Sequence, residues 1–194
     1  MKSMTNRIIT LVMVLSLSWV FISCGGDTQS KQVDSTDTKK TEQTKTSEVI
    51  TFTVTDTNGK IRNSSEWIGK QPVVLNIWGT WCPPCRAEIP DFVKAYEIYK
   101  EKGVEILGIA VRDTPDKVLK FAGQNNMKWQ MMLFSDDALR VRFDIQAVPT
   151  TIFIDRNGKV MEIFNPRTNG MTESYSGPMR FDLFTKHLDS LLTI

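Results

Sequence analysis

Cys82 and Cys85, two of the three cysteines in the 194-residue chain, stand three positions apart inside the stretch Trp81-Cys82-Pro83-Pro84-Cys85. Two thiols at that spacing can form a structural staple, half of a metal site, or a dithiol that changes oxidation state. A staple is a poor use of them, because closing so short a loop constrains the unfolded chain least. A zinc site needs two further ligands, yet the remaining cysteine is Cys24, near the N-terminus, and the single histidine, His187, lies near the other end. Copper transfer would want a nearby histidine or methionine set, and the nine methionines are scattered. The redox dithiol has the most chemistry behind it. The thiolate of one cysteine opens a disulfide on another molecule, and the second thiol attacks the mixed disulfide and closes the pair.

That chemistry calls for a helix N-terminus, and the flanking sequence supplies one. Val73–Trp78 is a β-rich apolar run, the pattern of a strand buried on both faces. Beyond the cysteines, Ile89, Phe92, Val93, Tyr96 and Tyr99 recur at helical spacing and give one apolar stripe that ends near Gly103. With Cys82 as N-cap, Pro83 and Pro84 fall at the first two helical positions, where a missing amide hydrogen costs little. Cys85 then offers the first free N–H. That amide and the positive end of the helix dipole favour the Cys82 thiolate, lowering its pKa below the free-cysteine value of about 8.5.

The alternation continues downstream. Residues 104–111 read as a second buried strand, and Thr114 and Pro115 as the cap and first residue of a helix carrying Val118, Phe121 and Ala122. Strand, helix, strand, helix predicts an α/β architecture with a parallel sheet covered on its faces. Residues 151–154 and 160–164 flank the turn residues Asp155, Arg156, Asn157 and Gly158, which predicts a hairpin. Phe181, Phe184, Leu188, Leu191 and Leu192 predict a closing amphipathic helix. Trp67 and Trp129 are expected as core or rim aromatics.

The N-terminal segment is of another kind. Lys2 and Arg7 precede an apolar run over residues 8–21, too short for a bilayer span of about 20 residues and shaped like a secretory signal. Ile22, Ser23 and Cys24 resemble the end of a bacterial lipobox, so residues 1–23 are expected to be a signal peptide and Cys24 the lipidated first residue. Residues 24–47 follow as a flexible tether. Its acids (Asp27, Asp34, Asp37, Glu42) balance its lysines (Lys31, Lys39, Lys40, Lys45), and it holds almost nothing that could enter a core. Residues 48–194 are the size of one ordinary domain. A net charge of +2 and the lack of a basic stripe interleaved with aromatics exclude a nucleic-acid partner.

NIWGTWCPPC at 76–85, Glu88 three residues past the second cysteine, and AVPTTIFIDRNGKV at 147–160 resemble the thioredoxin superfamily. Within it the chain is similar to the membrane-tethered TlpA/ResA-like thiol-disulfide oxidoreductases, over about residues 50–194. The resemblance implies a thioredoxin-like fold, a central mixed β-sheet with helices on both faces, and Cys82 and Cys85 as a redox-active disulfide. It implies that Pro149 is cis and lies against the dithiol, and that the backbone at Val148 pairs with an extended substrate chain. Trp81 and Pro83, on either side of Cys82, complete the expected substrate-facing rim. Asn76 occupies the place where cytoplasmic thioredoxins carry a buried aspartate. Helical spacing alone leaves Glu88 open between a solvated glutamate, the commoner case, and a buried acid. The resemblance selects the second and gives Glu88 the proton-handling part. Residues 165–179 look longer than the usual link into the last helix, and read equally as a substrate-contacting loop or a tolerated insertion.

The resemblance further implies a lipid-anchored monomer outside the cytoplasmic membrane that reduces disulfides of exported proteins. Apocytochrome c is a candidate substrate and a membrane-bound protein the electron donor. No cofactor and no metal are implied, because the dithiol itself stores two electrons. Three other readings use the same residues: a disulfide-forming oxidase, a peroxiredoxin-type peroxidase, and a metal-carrying or binding module. The peroxidase pattern PxxxTxxC is not matched, since Thr80 stands only two residues before Cys82.

Overall fold

A computed structural model describes residues 49–135 and 137–194. The expected signal peptide, the lipidated Cys24 and the tether lie outside the described residues. Two short strands, β1 (Thr53–Asp56) and β2 (Ile61–Asn63), lead into β3 (Val73–Trp78) and α1 (Pro83–Tyr99). There follow β4 (Glu105–Ala110), α2 (Pro115–Gln124), β5 (Gln130–Leu133), α3 (Asp137–Arg142) and β6 (Thr150–Ile154). The chain closes through β7 (Ile163–Asn165), β8 (Gly170–Thr172), β9 (Tyr175–Ser176) and α4 (Phe181–Leu192).

The strands form one seven-stranded sheet in the order β2-β1-β5-β4-β3-β6-β9, with β7 and β8 apart as a small pair. β3, β4 and β5 run parallel, as crossovers through α1 and α2 require, while β6 runs antiparallel to β3. This is the thioredoxin-like arrangement. β3 is buried at every position because both of its faces are covered. Val74 and Trp78 point into the core shared with α1, α2 and α4, whereas Val73, Leu75 and Ile77 point into the core shared with α3, Trp67 and Ile68. Asn76 lies between Val74 and Trp78, so strand alternation aims its amide at the α1 side. Phe92 and Phe184 stack across α1 and α4 with ring centres 3.9 Å apart. Trp67 and Trp129 are both core residues.

The expected hairpin at 151–164 forms only in part. Its turn closes, with the Asp155 N–H donating to the Lys159 carbonyl at 2.8 Å and the Gly158 N–H to the Asp155 carbonyl at 3.0 Å. Ile154 and Val160 make a single bridge, after which the chain leaves the sheet. Ile163 turns into the α1-side core and β7 pairs with β8 instead. The place beside β6 is taken by β9, in the register Thr150 to Ser176 and Thr151 to Tyr175. Residues 165–179, read from sequence as a loop, therefore contain two of the strands and end on the fully buried Met179.

Candidate active site

Four residues separate β3 from α1, and the N-cap and first turn of α1 carry the two cysteines. Cys82 has extended backbone angles (φ −92°, ψ 110°) and caps the helix, with Pro83 and Pro84 at the first positions. The Cys85 N–H donates to Cys82 Sγ at 3.2 Å, as the capping geometry requires. The sulfurs are joined in a disulfide whose Cα atoms stand 5.3 Å apart, so this is the oxidised state. Cys82 is 2% exposed and Cys85 0%. Exposure therefore does not distinguish the two sulfurs in this state. Position does: the helix-end field and the amide donor both act on Cys82.

Cys82 Sγ lies 3.6 Å from the Val148 carbonyl oxygen, a contact rather than a hydrogen bond, since a disulfide sulfur carries no hydrogen. The Val148–Pro149 bond is cis. Trp81 is 45% exposed beside the buried sulfur. Its indole N–H donates to the Val111 carbonyl at 3.0 Å, and the Arg112 guanidinium sits 4.5 Å from the ring centre. Gly79 makes room for that indole, because a Cβ there would meet Trp81 Nε1 at 2.6 Å. Pro83 is exposed on the other side of Cys82. Thr80 is committed elsewhere: its N–H and hydroxyl donate to the Asp113 carboxylate at 2.7 Å and 2.9 Å, tying the cysteine loop to the end of β4. Nothing in the sequence marked Asp113, Val111 or Arg112, whose partners lie about thirty residues away.

Glu88 points inward, one turn past Cys85, and is 1% exposed. Its Oε1 accepts from Asn76 Nδ2 at 2.9 Å and its Oε2 from the Met179 N–H at 3.0 Å. Burial pushes its pKa up to about 7, against the pull of those two donors and of the Arg167 charge. The carboxyl can thus hold or release a proton near neutrality. Asn76 serves both forms: its NH2 donates to the carboxylate, and with the amide turned over its oxygen accepts from the carboxylic acid. The Met179 amide is the partner that sequence could not reveal, since a backbone donor 91 positions away leaves no side-chain signature.

His187 is buried against the Phe153 ring at 5.4 Å, and burial lowers its pKa. Among the described residues no group of three or more His, Cys, Asp or Glu could hold a metal ion. The structure thus gathers Trp81, Cys82, Pro83, Cys85, Val148 and Pro149 at one end of the sheet, with Glu88 beneath them. Cys24 lies outside the described residues.

A family model described as AhpC/TSA family matches residues 46–163. The thiol-disulfide oxidoreductase ResA of Geobacillus kaustophilus is 34% identical over 154 residues, covering 79% of this chain and 82% of that protein. ResA of Bacillus subtilis is 36% identical over 128 residues, covering 66% and 69%. Among solved structures, a thioredoxin-family thiol:disulfide interchange protein from Chlorobium tepidum superposes with a TM-score of 0.59 at 26% identity, covering 73% of this chain and 93% of the other. StoA from Bacillus subtilis, at 20% identity and a TM-score of 0.54, shares the fold over 74% and 98%.

Proposed function

We propose a direction for this chemistry from one premise: the chain belongs to the AhpC/TSA family and is a thiol-disulfide oxidoreductase. Thiol-bearing proteins are its substrates, and the direction we assign is reduction of their disulfides. The observation that carries it is how little holds the Cys82 thiolate. A strong oxidant is one whose reduced form is stabilised. Here the amide reaching Cys82 Sγ is that of Cys85, because Pro83 and Pro84 have no N–H to offer. The Glu88 carboxylate, buried one turn past Cys85, opposes further negative charge at the pair rather than favouring it. The thiolate is thus reactive but only modestly stabilised, which supports the reducing direction.

In the forward reaction Cys82 attacks one substrate sulfur and the other leaves as a thiolate, taking a proton from solvent. Cys85 then gives its proton to Glu88 and attacks Cys82 Sγ. The second substrate sulfur departs as a thiolate that takes a proton from solvent, the 82–85 disulfide closes, and two electrons have passed to the substrate, with the Cys85 proton left on Glu88 until it is lost to solvent or the pair is reset. Val148 and Pro149 hold the extended substrate chain against Cys82, while Trp81 and Pro83 form the rim it lies on. A membrane-bound donor of two electrons resets the pair. Equilibration against a glutathione buffer is expected to give a potential more negative than about −200 mV. A value near about −120 mV would make the protein an oxidant instead.

We place the protein in the cell envelope, lipid-anchored through Cys24 with residues 24–47 as its tether, as a monomer acting on exported proteins, apocytochrome c among them. Among the described residues no helix is long and apolar enough to cross a membrane. The support is the lipobox-like FISC at 21–24 and the charge-balanced segment behind it. Cys24→Ser, expressed in the native host, is expected to move the protein from the membrane to a soluble fraction. Retention in the membrane would put the anchor elsewhere.

A further inference from the structure

Residues 176–179 form a strap between two parts of the site. The Ser176 carbonyl accepts from Arg167 Nη1 at 3.2 Å and the Pro178 carbonyl from Arg167 Nη2 at 3.1 Å. The alternate amides are used in the other direction. The Gly177 N–H donates to the Pro149 carbonyl at 2.8 Å, and the Met179 N–H donates to Glu88 Oε2 at 3.0 Å. One guanidinium therefore grips two carbonyls of a four-residue segment whose Gly177 and Met179 amides reach the Pro149 loop and the internal carboxyl. Gly177 (φ 110°) admits the guanidinium: a Cβ there would stand 1.7 Å from Arg167 Nη1. Arg167 is itself fixed, its backbone N–H donating to the buried Asn165 side chain at 2.9 Å and its guanidinium lying 5.5 Å from the centre of the Tyr175 ring.

We propose that Arg167 is a positioning residue for disulfide exchange: through the 176–179 strap it holds the Glu88 carboxyl and the Pro149 loop in one fixed relation. A planar fork suits this task, because it holds its N–H donors at a fixed spacing matched to two carbonyls, whereas an ammonium is a point charge with rotatable donors. The groups around Glu88 are few. β3 contributes the uncharged Asn76, α1 contributes the cysteine pair, and the strap contributes the Met179 amide, with Arg167 as the facing charge. Asp91, one turn further along α1, and Arg180, next to Met179, neutralise each other at 3.1 Å.

This inference rests on the reading that Glu88 exchanges a proton with Cys85. Loss of Arg167 removes a positive charge and loosens the Met179 N–H, and both changes favour the protonated carboxyl. The base form then appears only at higher pH. In the full chain, Arg167→Ala is expected to move the acid limb of the exchange-rate profile about one pH unit alkaline, an approximately fivefold loss at pH 7. Arg167→Lys keeps the charge without the fork and is expected to recover only part of the shift. Carbon-13 titration of the Glu88 carboxyl in the oxidised protein should move in parallel. An unmoved Glu88 titration in Arg167→Ala, or full recovery by Arg167→Lys, overturns the strap. If Glu88→Gln itself leaves the exchange profile unchanged, the proton-exchange reading fails first, and the carbon-13 titration still judges the strap separately.

Discussion

Cys85→Ser is expected to capture substrate and fail to release it. The serine variant keeps Cys82 at the cap of α1, where the helix-end field favours the thiolate, so attack on a substrate disulfide proceeds. Release requires a second sulfur held within reach, and an intramolecular thiol in that position is worth an effective concentration far above any in solution. Without it, turnover should fall by roughly a thousandfold or more. A covalent complex should accumulate that survives non-reducing electrophoresis and disappears with dithiothreitol. Cys82→Ser should form no such complex. In the reduced native protein, limited alkylation at neutral pH should label Cys82 first. Equal labelling of both cysteines, or a Cys85→Ser variant that turns over normally, would sink the assignment of attacking and resolving thiols.

Glu88→Gln should leave the fold and the disulfide intact. The glutamine oxygen can accept from the Met179 N–H, and Asn76 can turn its amide over to accept from the new NH2. The loss is a group that titrates near neutrality beside a buried thiol. Exchange at pH 7 should slow by about a hundredfold or more. The wild-type rate should rise through the Glu88 pKa of about 7, an inflection the variant lacks. Superimposable rate–pH profiles would falsify the base role.

Stability gives the same variant a second readout. The pKa of Glu88 is raised by folding, from 4.5 to about 7, so the folded state binds the proton more tightly than the unfolded chain. That contribution is fully present below pH 4.5 and is lost as pH rises to about 7. Across this window wild type should lose on the order of 3 kcal/mol that the glutamine variant keeps. Denaturant melts at pH 5 and pH 8 measure the difference.

The parts of this arrangement that sequence revealed are those with a strong periodic or capping signal. β3, β4, α1, α2 and α4 carry long apolar runs or stripes, and Cys-Pro-Pro-Cys announces its own helix start. Helical spacing alone leaves Glu88 open and only the family resemblance selects burial; the structure puts it with Cys85, Ile89 and Phe92 on the buried face of α1. β1, β2 and β5 left little trace, since Thr-Val-Thr-Asp, Ile-Arg-Asn and Gln-Met-Met-Leu are short and partly polar. α3 is six residues long and owes its place to Leu139 and the Phe143 beyond it, buried against the sheet. The partial hairpin misled because turn chemistry at 155–158 fixes a reversal but not how far the pairing continues. β9 depends on its pairing with β6, Thr151 to Tyr175, which no local pattern encodes.

The sheet ends on one side in β2, three residues long, and on the other in β9, only two. Unpaired strand edges recruit foreign chains, and a long flat edge is an invitation to aggregate. The hazard is acute for a protein that acts on the thiols and disulfides of other chains. β9 shields the outer edge of β6 for Thr150 and Thr151, next to the cysteines, and stops before it can present an edge of useful length itself. If Val148 receives the substrate chain as proposed, an arriving chain meets no ribbon long enough to add to, and contact ends with the chemistry instead of growing into a shared sheet.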